Sequence, residues 1–131
     1  MSGIADDLAC PCGSGQSYAG CCGRLHDGFV ADTAEALMRS RYSAYVLGRT
    51  DYLLATWHPR TRPPRAALAH DPAVRWLGLT IRAHRMTGPD TAIVEFVARS
   101  KTGGASAVRL HETSRFEREG GVWAYVDGDI R

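Results

Sequence analysis

The spacing of the apolar residues first indicates helices. Between Ala34 and Gly48, apolar side chains recur every three or four residues, which places them on one face of an α-helix. Either residue of Asp32-Thr33 can cap its start, and Gly48 suits its end. A shorter helix over residues 51–56 is predicted to follow, and it stops before Pro59 because a residue that precedes proline avoids the helical conformation. Two helices are therefore expected in the first half of the chain.

Beyond Val74 the spacing of the apolar residues falls to two, the period of a strand with one buried face. Four such stretches cover residues 75–86, 91–100, 106–118 and 122–126, separated by short turns that contain glycine. In the first stretch the pattern assigns Leu77, Leu79, Ile81 and Ala83 to the buried face. Short turns predict an antiparallel meander, and the helices are expected to cover its apolar face. The predicted fold is α+β, with helices packed in the hollow of a curved antiparallel sheet of about four strands.

Length and composition limit the class of protein. With 131 residues, of which 44% are hydrophobic and 23% charged, the chain can form one globular domain with a small appendage. No apolar run approaches the roughly 18 residues that a membrane-spanning helix needs. Residues 1–7 also lack the basic region of a secretory signal peptide. We therefore expect a cytoplasmic protein with no membrane span.

The charge of the chain gives only weak grounds for nucleic-acid binding, because the net charge is +2. A proline-rich connector nevertheless carries Arg60, Arg62 and Arg65, which could contact RNA or ribosomal phosphate. The alternative is that three exposed arginines only keep a loop solvated. The sequence has no RNA-recognition signature, nucleophile elbow or phosphate-binding loop.

All the cysteines lie in one short segment. They are Cys10, Cys12, Cys21 and Cys22, in the pattern C-x-C-x8-C-C. Four thiolates complete the tetrahedral shell of a structural zinc ion, and in a reducing compartment a metal is favoured over two disulfides. We therefore predict a structural Zn²⁺ site on these four residues. His26 is an alternative ligand in place of one thiol, and Ser14 is expected to hydrogen-bond to a thiolate.

One charged residue of the first helix falls on or beside its buried stripe. This residue is Arg41, and a buried guanidinium is expected to need a carboxylate, for which Glu95 and Glu112 are the candidates. One interpretation is a structural ion pair that fixes the helix to the sheet. The other is a polar pocket that binds a small anion or performs acid–base chemistry. Its candidate residues are Arg41, Tyr45, Trp57, His58, His111, Glu112 and Asp127.

Several segments resemble known families. The spacing of Cys10, Cys12, Ser14, Gly15, Cys21 and Cys22 resembles the SEC-C motif, a zinc-binding element also found at the C-terminus of the preprotein translocase SecA. Residues 37–45, 52–59, 111–116 and 123–128 resemble the bacterial YchJ family, which has no established activity. The resemblance runs from about Cys10 to Asp129. It implies a zinc knuckle over residues 1–28 and a cystatin-like, nuclear-transport-factor-like cone over residues 29–131.

Three functions are compatible with these features. The first is a protein-binding or adaptor module, linked to export, translation or quality control, whose partner is another protein. The second is a small-molecule-binding or enzymatic pocket in the cone. The third is contact with RNA or the ribosome through the arginine-bearing connector. No residue is assigned a catalytic role, and the sequence favours a protein that is not an enzyme.

Overall fold

Four antiparallel strands, which follow the helices in the chain, form a single sheet. The computed structural model describes residues 8–131. Its helices are α1 (Cys22–His26), α2 (Ala34–Leu47) and α3 (Thr50–Ala55), followed by a 3₁₀ turn at Arg65–Leu68. Its strands are β1 (Val74–Gly88), β2 (Thr91–Thr102), β3 (Val108–Glu119) and β4 (Val122–Ile130). The strands are ordered β1-β2-β3-β4, so the α+β fold and the curved antiparallel meander are confirmed.

The ends of α2 follow the sequence signals. The Thr33 hydroxyl accepts a hydrogen bond of 3.0 Å from the backbone N–H of Ala36, which satisfies one of the free donors of the first turn. At the other end, Gly48 has a φ of 71°, a left-handed conformation that favours glycine. Both predicted ends of this helix are confirmed.

Helix α2 is buried on two sides, not on one as the apolar stripe predicted. None of its 14 residues is exposed. Met38 and Tyr42 join the core beneath the sheet, and the Tyr42 ring meets the edge of Trp76 with centroids 5.7 Å apart. On the other side, Ser40 and Ser43 are fully buried against the cysteine segment. Ser40 tolerates burial because its hydroxyl donates to the Leu37 carbonyl at 2.7 Å.

Strand β1 departs from the predicted alternation. Its register with β2 shifts after Trp76, after Ile81 and after Met86, and each such β-bulge reverses which side chains face inward. As a result Trp76 packs against the core, whereas Leu77 is 46% exposed. The assignment of Leu79 and Ile81 to the core side is confirmed, and that of Leu77 and Ala83 is wrong, because both are exposed.

Strand β4 continues beyond its predicted end at Val126. Asp127 pairs with Arg115, and the pairing with β3 continues as far as Ile130 opposite Glu112. The apolar alternation stops at Val126, so it did not reveal the last four residues of the strand. This extension lengthens the sheet beside the buried face of β3.

The segment that begins with the last cysteine forms the short helix α1, which the spacing of the apolar residues did not predict. Gly23 lies inside this helix, and its N–H donates to the Tyr18 carbonyl at 2.8 Å. A Cβ atom on Gly23 would lie only 2.6 Å from that carbonyl oxygen. The chain can therefore pass this closely only with glycine at the position.

The cysteine segment and the cone share one hydrophobic core. Cys10, Cys12, Tyr18 and Cys22 belong to the same buried cluster as Leu37. The segment is thus packed onto α2, while the division at residues 28 and 29 stays a prediction. Within residues 8–131, the structure contains no helix with the length and apolar character needed to cross a membrane.

We predict that Gly23→Ala destabilises the protein by about 1–3 kcal/mol, because the new methyl group must displace backbone atoms. Gly104→Ala is the control, since Gly104 has open space around it and no positive φ. The control is expected to leave the free energy of unfolding unchanged or to raise it slightly. Urea denaturation followed by tryptophan fluorescence measures both variants. Equal stability of the two variants would refute the close approach at Gly23.

Candidate functional site

The four cysteine sulfurs converge on one point. They lie within 4.8 Å of one another, and the sulfurs of Cys12 and Cys21 are 3.7 Å apart. Bonds of about 2.3 Å to a tetrahedral metal ion would place neighbouring sulfurs about 3.8 Å apart. All four thiols are free, and three of the residues are buried. The cluster therefore has the size and donor set of a closed metal site.

A tight loop brings the two pairs of cysteines together. Gly13 and Gly15 both have positive φ values, of 78° and 87°, which reverse the chain directly after Cys12. The Cys10 N–H donates to the Gln16 carbonyl at 2.9 Å and closes the loop. Cys22 then begins α1. The glycines and the helix start thus position the first and second pairs of ligands, respectively.

Hydrogen bonds among the thiols and burial shift the pKa values of the cluster. Hydrogen bonds from the thiols of Cys12 and Cys22 lower the pKa of Cys10, whereas the hydrogen bond to Cys10 raises the pKa of Cys22. Burial raises the pKa of Cys21, although the Ser14 hydroxyl lies 3.1 Å from its sulfur, as predicted. A metal ion among the sulfurs would favour the ionised form of the thiols. The cluster could therefore hold a metal ion.

His26 lies near the cysteines but has other partners. Its Nε2 donates to the Ser40 carbonyl at 2.8 Å, which leaves Nδ1 to accept from the Tyr18 hydroxyl at 2.6 Å. Burial lowers the pKa of His26, consistent with this neutral form. Both ring nitrogens are engaged, and among residues 8–131 the ligands that converge at this place are the four cysteines. The geometry thus favours four thiols over a shell that includes His26.

Polar residues of α2 fix the cysteine segment, and sequence reasoning missed them. Arg39 donates to the Cys12 carbonyl at 3.0 Å and also pairs with Glu35 at 3.1 Å. The Ser43 hydroxyl lies 3.6 Å from the Cys10 sulfur. The spacing of Arg39, Ser40 and Ser43 could have revealed these contacts, because it places a second, polar stripe on the helix beside the apolar one.

A cavity of about 260 Å³ lies between α2 and the sheet. Its walls are mainly aromatic and aliphatic, and the charged or polar residues among them include Arg41, Glu112 and Ser114. Four of the predicted pocket residues, Arg41, Tyr45, Trp57 and Glu112, line this cavity. The structure therefore brings together part of the candidate set, on the inward face of β3 and the adjoining face of α2.

The other three predicted pocket residues lie outside this cavity. His58 Nε2 is 3.0 Å from Glu119, and Asp127 accepts a hydrogen bond of 2.5 Å from Arg115. His111 pairs at 2.6 Å with Glu95. His111 and Glu112 are consecutive residues of β3, so their side chains point to opposite faces of the sheet.

Arg41 has no carboxylate partner within 4.0 Å among residues 8–131. It donates through Nη1 to the Leu53 carbonyl at 2.9 Å and to the Thr56 hydroxyl at 2.7 Å. The flat faces of Trp57 and Tyr125 lie 4.8 Å and 4.6 Å from its Cζ. The prediction of an ion pair with Glu95 or Glu112 is therefore wrong. Instead, the C-terminal end of α3 and two aromatic rings contact the guanidinium. Burial lowers the pKa of Arg41.

The three connector arginines all have partners within the protein. Arg60 pairs with Glu117 at 2.8 Å, and Arg62 donates to the Trp57 carbonyl at 2.9 Å. Arg65 forms an ion pair with Asp51. These contacts fasten the connector to α3 and to the sheet.

Comparison with known proteins places the chain in a family. Residues 33–128 match the family model described as "YchJ, middle NTF2-like domain". The chain belongs to the YchJ family. A UPF0225 protein from a Polaromonas species is 56% identical over 131 residues, covering 93% of each chain. Another, from Methylibium petroleiphilum, is 59% identical and covers 94% of this chain and 89% of the relative.

Two solved structures extend the comparison to the cysteine segment. The solution structure of a SEC-C motif containing protein from Rhodopseudomonas palustris is similar with a TM-score of 0.79 and 35% identity, covering 93% of this chain and 98% of that one. The crystal structure of a SEC-C motif containing protein from Psychrobacter arcticus gives a TM-score of 0.83 with 29% identity, over 98% and 86% of the chains. The YchJ resemblance and the nuclear-transport-factor-like fold are thus confirmed.

We predict that Cys21→Ser reduces the metal-to-protein ratio of the purified protein to less than half of the wild-type value, because one of four thiolates is lost. His26→Gln is the matched control. It is expected to retain the full ratio, since His26 engages Ser40 and Tyr18 instead of an ion. Elemental analysis of protein purified under reducing conditions gives the ratio. Loss of metal in the His26 variant, with retention in the Cys21 variant, would reverse the assignment.

Proposed function

We propose that this protein is a zinc-organised module that binds another protein through the surface next to the cysteine cluster. The single observation that carries the proposal is the exposure of Phe29 and Val30, 62% and 56% respectively, directly after α1. Large apolar side chains exposed together beside a groove are typical of partner-binding surfaces. The cluster at the start of α1 supplies the rigid support for this surface.

Zinc is the ion that best fits the cluster. An all-sulfur, four-coordinate shell with no open position is typical of structural zinc, which has no redox chemistry under cellular conditions. Three of the ligands are buried, which excludes a substrate from the ion. The ion therefore stabilises the segment and leaves recognition to the surrounding side chains.

The groove that the surface offers has a volume of about 260 Å³. Leu25 of α1, Phe29 and Val30 form one wall, and Val122 and Trp123 at the start of β4 lie on the other. Val122 is itself 52% exposed. An apolar side chain of a partner protein fits such a groove, because both surfaces then leave water.

The ion is linked to the groove through α1. Cys22 is the first residue of this helix and Leu25 lies one turn later, while the Phe29 N–H donates to the Arg24 carbonyl at 3.1 Å. The Arg24 guanidinium also covers the Phe29 ring at 5.2 Å. Loss of the ion is therefore expected to release the wall of the groove. The proposed partner acts in export, translation or quality control.

We predict about one zinc ion per chain under reducing conditions, and a lower melting temperature after the ion is removed by a strong chelator. Elemental analysis and differential scanning calorimetry provide the two measurements. Restoring zinc should restore the melting temperature, whereas magnesium should not, because it prefers oxygen ligands. Less than half a zinc ion per chain would eliminate the proposed ion.

We further predict that a photo-crosslinking amino acid at position 29 captures a discrete partner in cells, and that Cys21→Ser abolishes the capture. The matched control is the same crosslinker at Met86, an exposed apolar residue of β1 that is 48% accessible. Crosslinked products are separated by electrophoresis and identified by mass spectrometry. Capture that is equal at both positions, or that is unaffected by Cys21→Ser, would contradict a zinc-organised binding surface.

A further inference from the structure

The cavity between α2 and the sheet contains two opposite charges that do not pair with each other. Arg41 is only 3% exposed, and Glu112 lines the same cavity from β3. No ion pair within 4.0 Å joins them or connects either to another charge among residues 8–131. A charge kept away from water without an ionic partner is costly. The cavity therefore lacks a group that would complement each charge.

Part of the guanidinium is available to such a group. Its two hydrogen bonds, to Leu53 and Thr56, both leave from Nη1. The Nε and Nη2 donors make no hydrogen bond of 3.5 Å or less within the described part of the chain, and the Tyr45 hydroxyl interacts with the guanidinium from the cavity wall. Guanidinium N–H groups in this arrangement match the two oxygens of a carboxylate. The rings of Trp57 and Tyr125 stand perpendicular to each other, and both contact the guanidinium carbon. Together with the two hydrogen bonds they fix the position of the group.

The carboxylate of Glu112 is fixed as well. The hydroxyls of Ser114 and Tyr125 both donate to its Oε2, at 2.5 Å and 3.1 Å. Gly128 makes room for it, because a Cβ atom on Gly128 would overlap the Glu112 side chain. Its Oε1 has no hydrogen-bond donor within residues 8–131. This oxygen can therefore accept from an ammonium or amide group.

The size and walls of the cavity limit the ligand further. A volume of about 260 Å³ corresponds to roughly nine water molecules at about 30 Å³ each. Between the two charges, the walls include the rings of Trp57, Trp76 and Phe96, which favour an apolar or aromatic body. A single amino acid has both this size and this combination of groups.

We propose that this cavity binds a free α-amino acid with an apolar or aromatic side chain, whose carboxylate is held by Arg41 and whose ammonium group is held by Glu112. Both charged groups of the amino acid are recognised, because each one contacts a protein group of opposite charge. The aromatic walls receive the side chain. This site lies on the opposite side of α2 from the cysteine cluster, and it does not depend on the proposed zinc-organised surface.

The test is calorimetric titration of the zinc-loaded full chain with L-phenylalanine and L-leucine, accompanied by two analogues of phenylalanine that each lack one charge. Phenylpropionate lacks the ammonium group, and phenethylamine lacks the carboxylate. We expect each analogue to bind at least about tenfold more weakly than L-phenylalanine, the effect of losing one charged hydrogen bond. Equal affinity for phenylpropionate and phenylalanine, or no binding of either amino acid at millimolar concentration, would overturn the proposal.

A pair of variants separates recognition from folding. Glu112→Gln keeps an oxygen that can accept from Ser114 and Tyr125 but removes the negative charge. It should weaken binding of L-phenylalanine about tenfold and leave phenylpropionate unaffected or tighter. Glu95→Gln is the matched control, since Glu95 pairs with His111 away from the cavity, and it should change neither affinity. A uniform loss of affinity for both compounds in Glu112→Gln would show that Glu112 only supports the fold, and would refute the assignment.

Discussion

The double burial of α2 is the constraint on which the rest of the structure depends. A helix packed on one side can rotate or shift to accommodate its neighbours, but α2 has the sheet on one side and the cysteine segment on the other. Its serines bring the helix close to the cysteine loop, since small side chains permit close approach. Arg39 then adds a charged hydrogen bond to the Cys12 carbonyl. One rigid element thus determines where the cysteine cluster lies and where the cavity lies.

Arg41 shows how a charge can be buried without an ion pair. Its two hydrogen bonds and two aromatic faces are each worth about 1–3 kcal/mol to a cation that is shielded from water. Together they are large enough to offset the several kcal/mol that desolvation costs. The helix end contributes negatively polarised carbonyls, such as that of Leu53. Because no full negative charge touches the guanidinium, the residue keeps an attraction for anions that an ion pair would have neutralised.

Much of this architecture could be predicted from local patterns. The change of apolar period from about 3.6 to two gave the order of helices and strands, and Thr33 and Gly48 gave the ends of α2, because these signals act over a few residues. The bulges of β1 could not be predicted, since they depend on how the strand twists against β2. The partner of Arg41 also escaped prediction, because it required the position of the carboxyl end of α3. The grouping of His111 with Glu112 contradicted the two-residue period, which separates consecutive side chains.

Adjacent residues of α2 face different sites: Ser40 accepts from His26 on the side of the cysteines, and Arg41 lines the cavity. Both sites therefore contact the same rigid helix, which would couple them if either ligand displaced it. Thermodynamic linkage makes such an influence symmetric. If ion binding changes the affinity of the cavity for its ligand by some factor, ligand binding changes the affinity of the cluster for the ion by the same factor. If the cavity binds an amino acid and the cluster binds a metal ion, as proposed, both ligands act on a single helix.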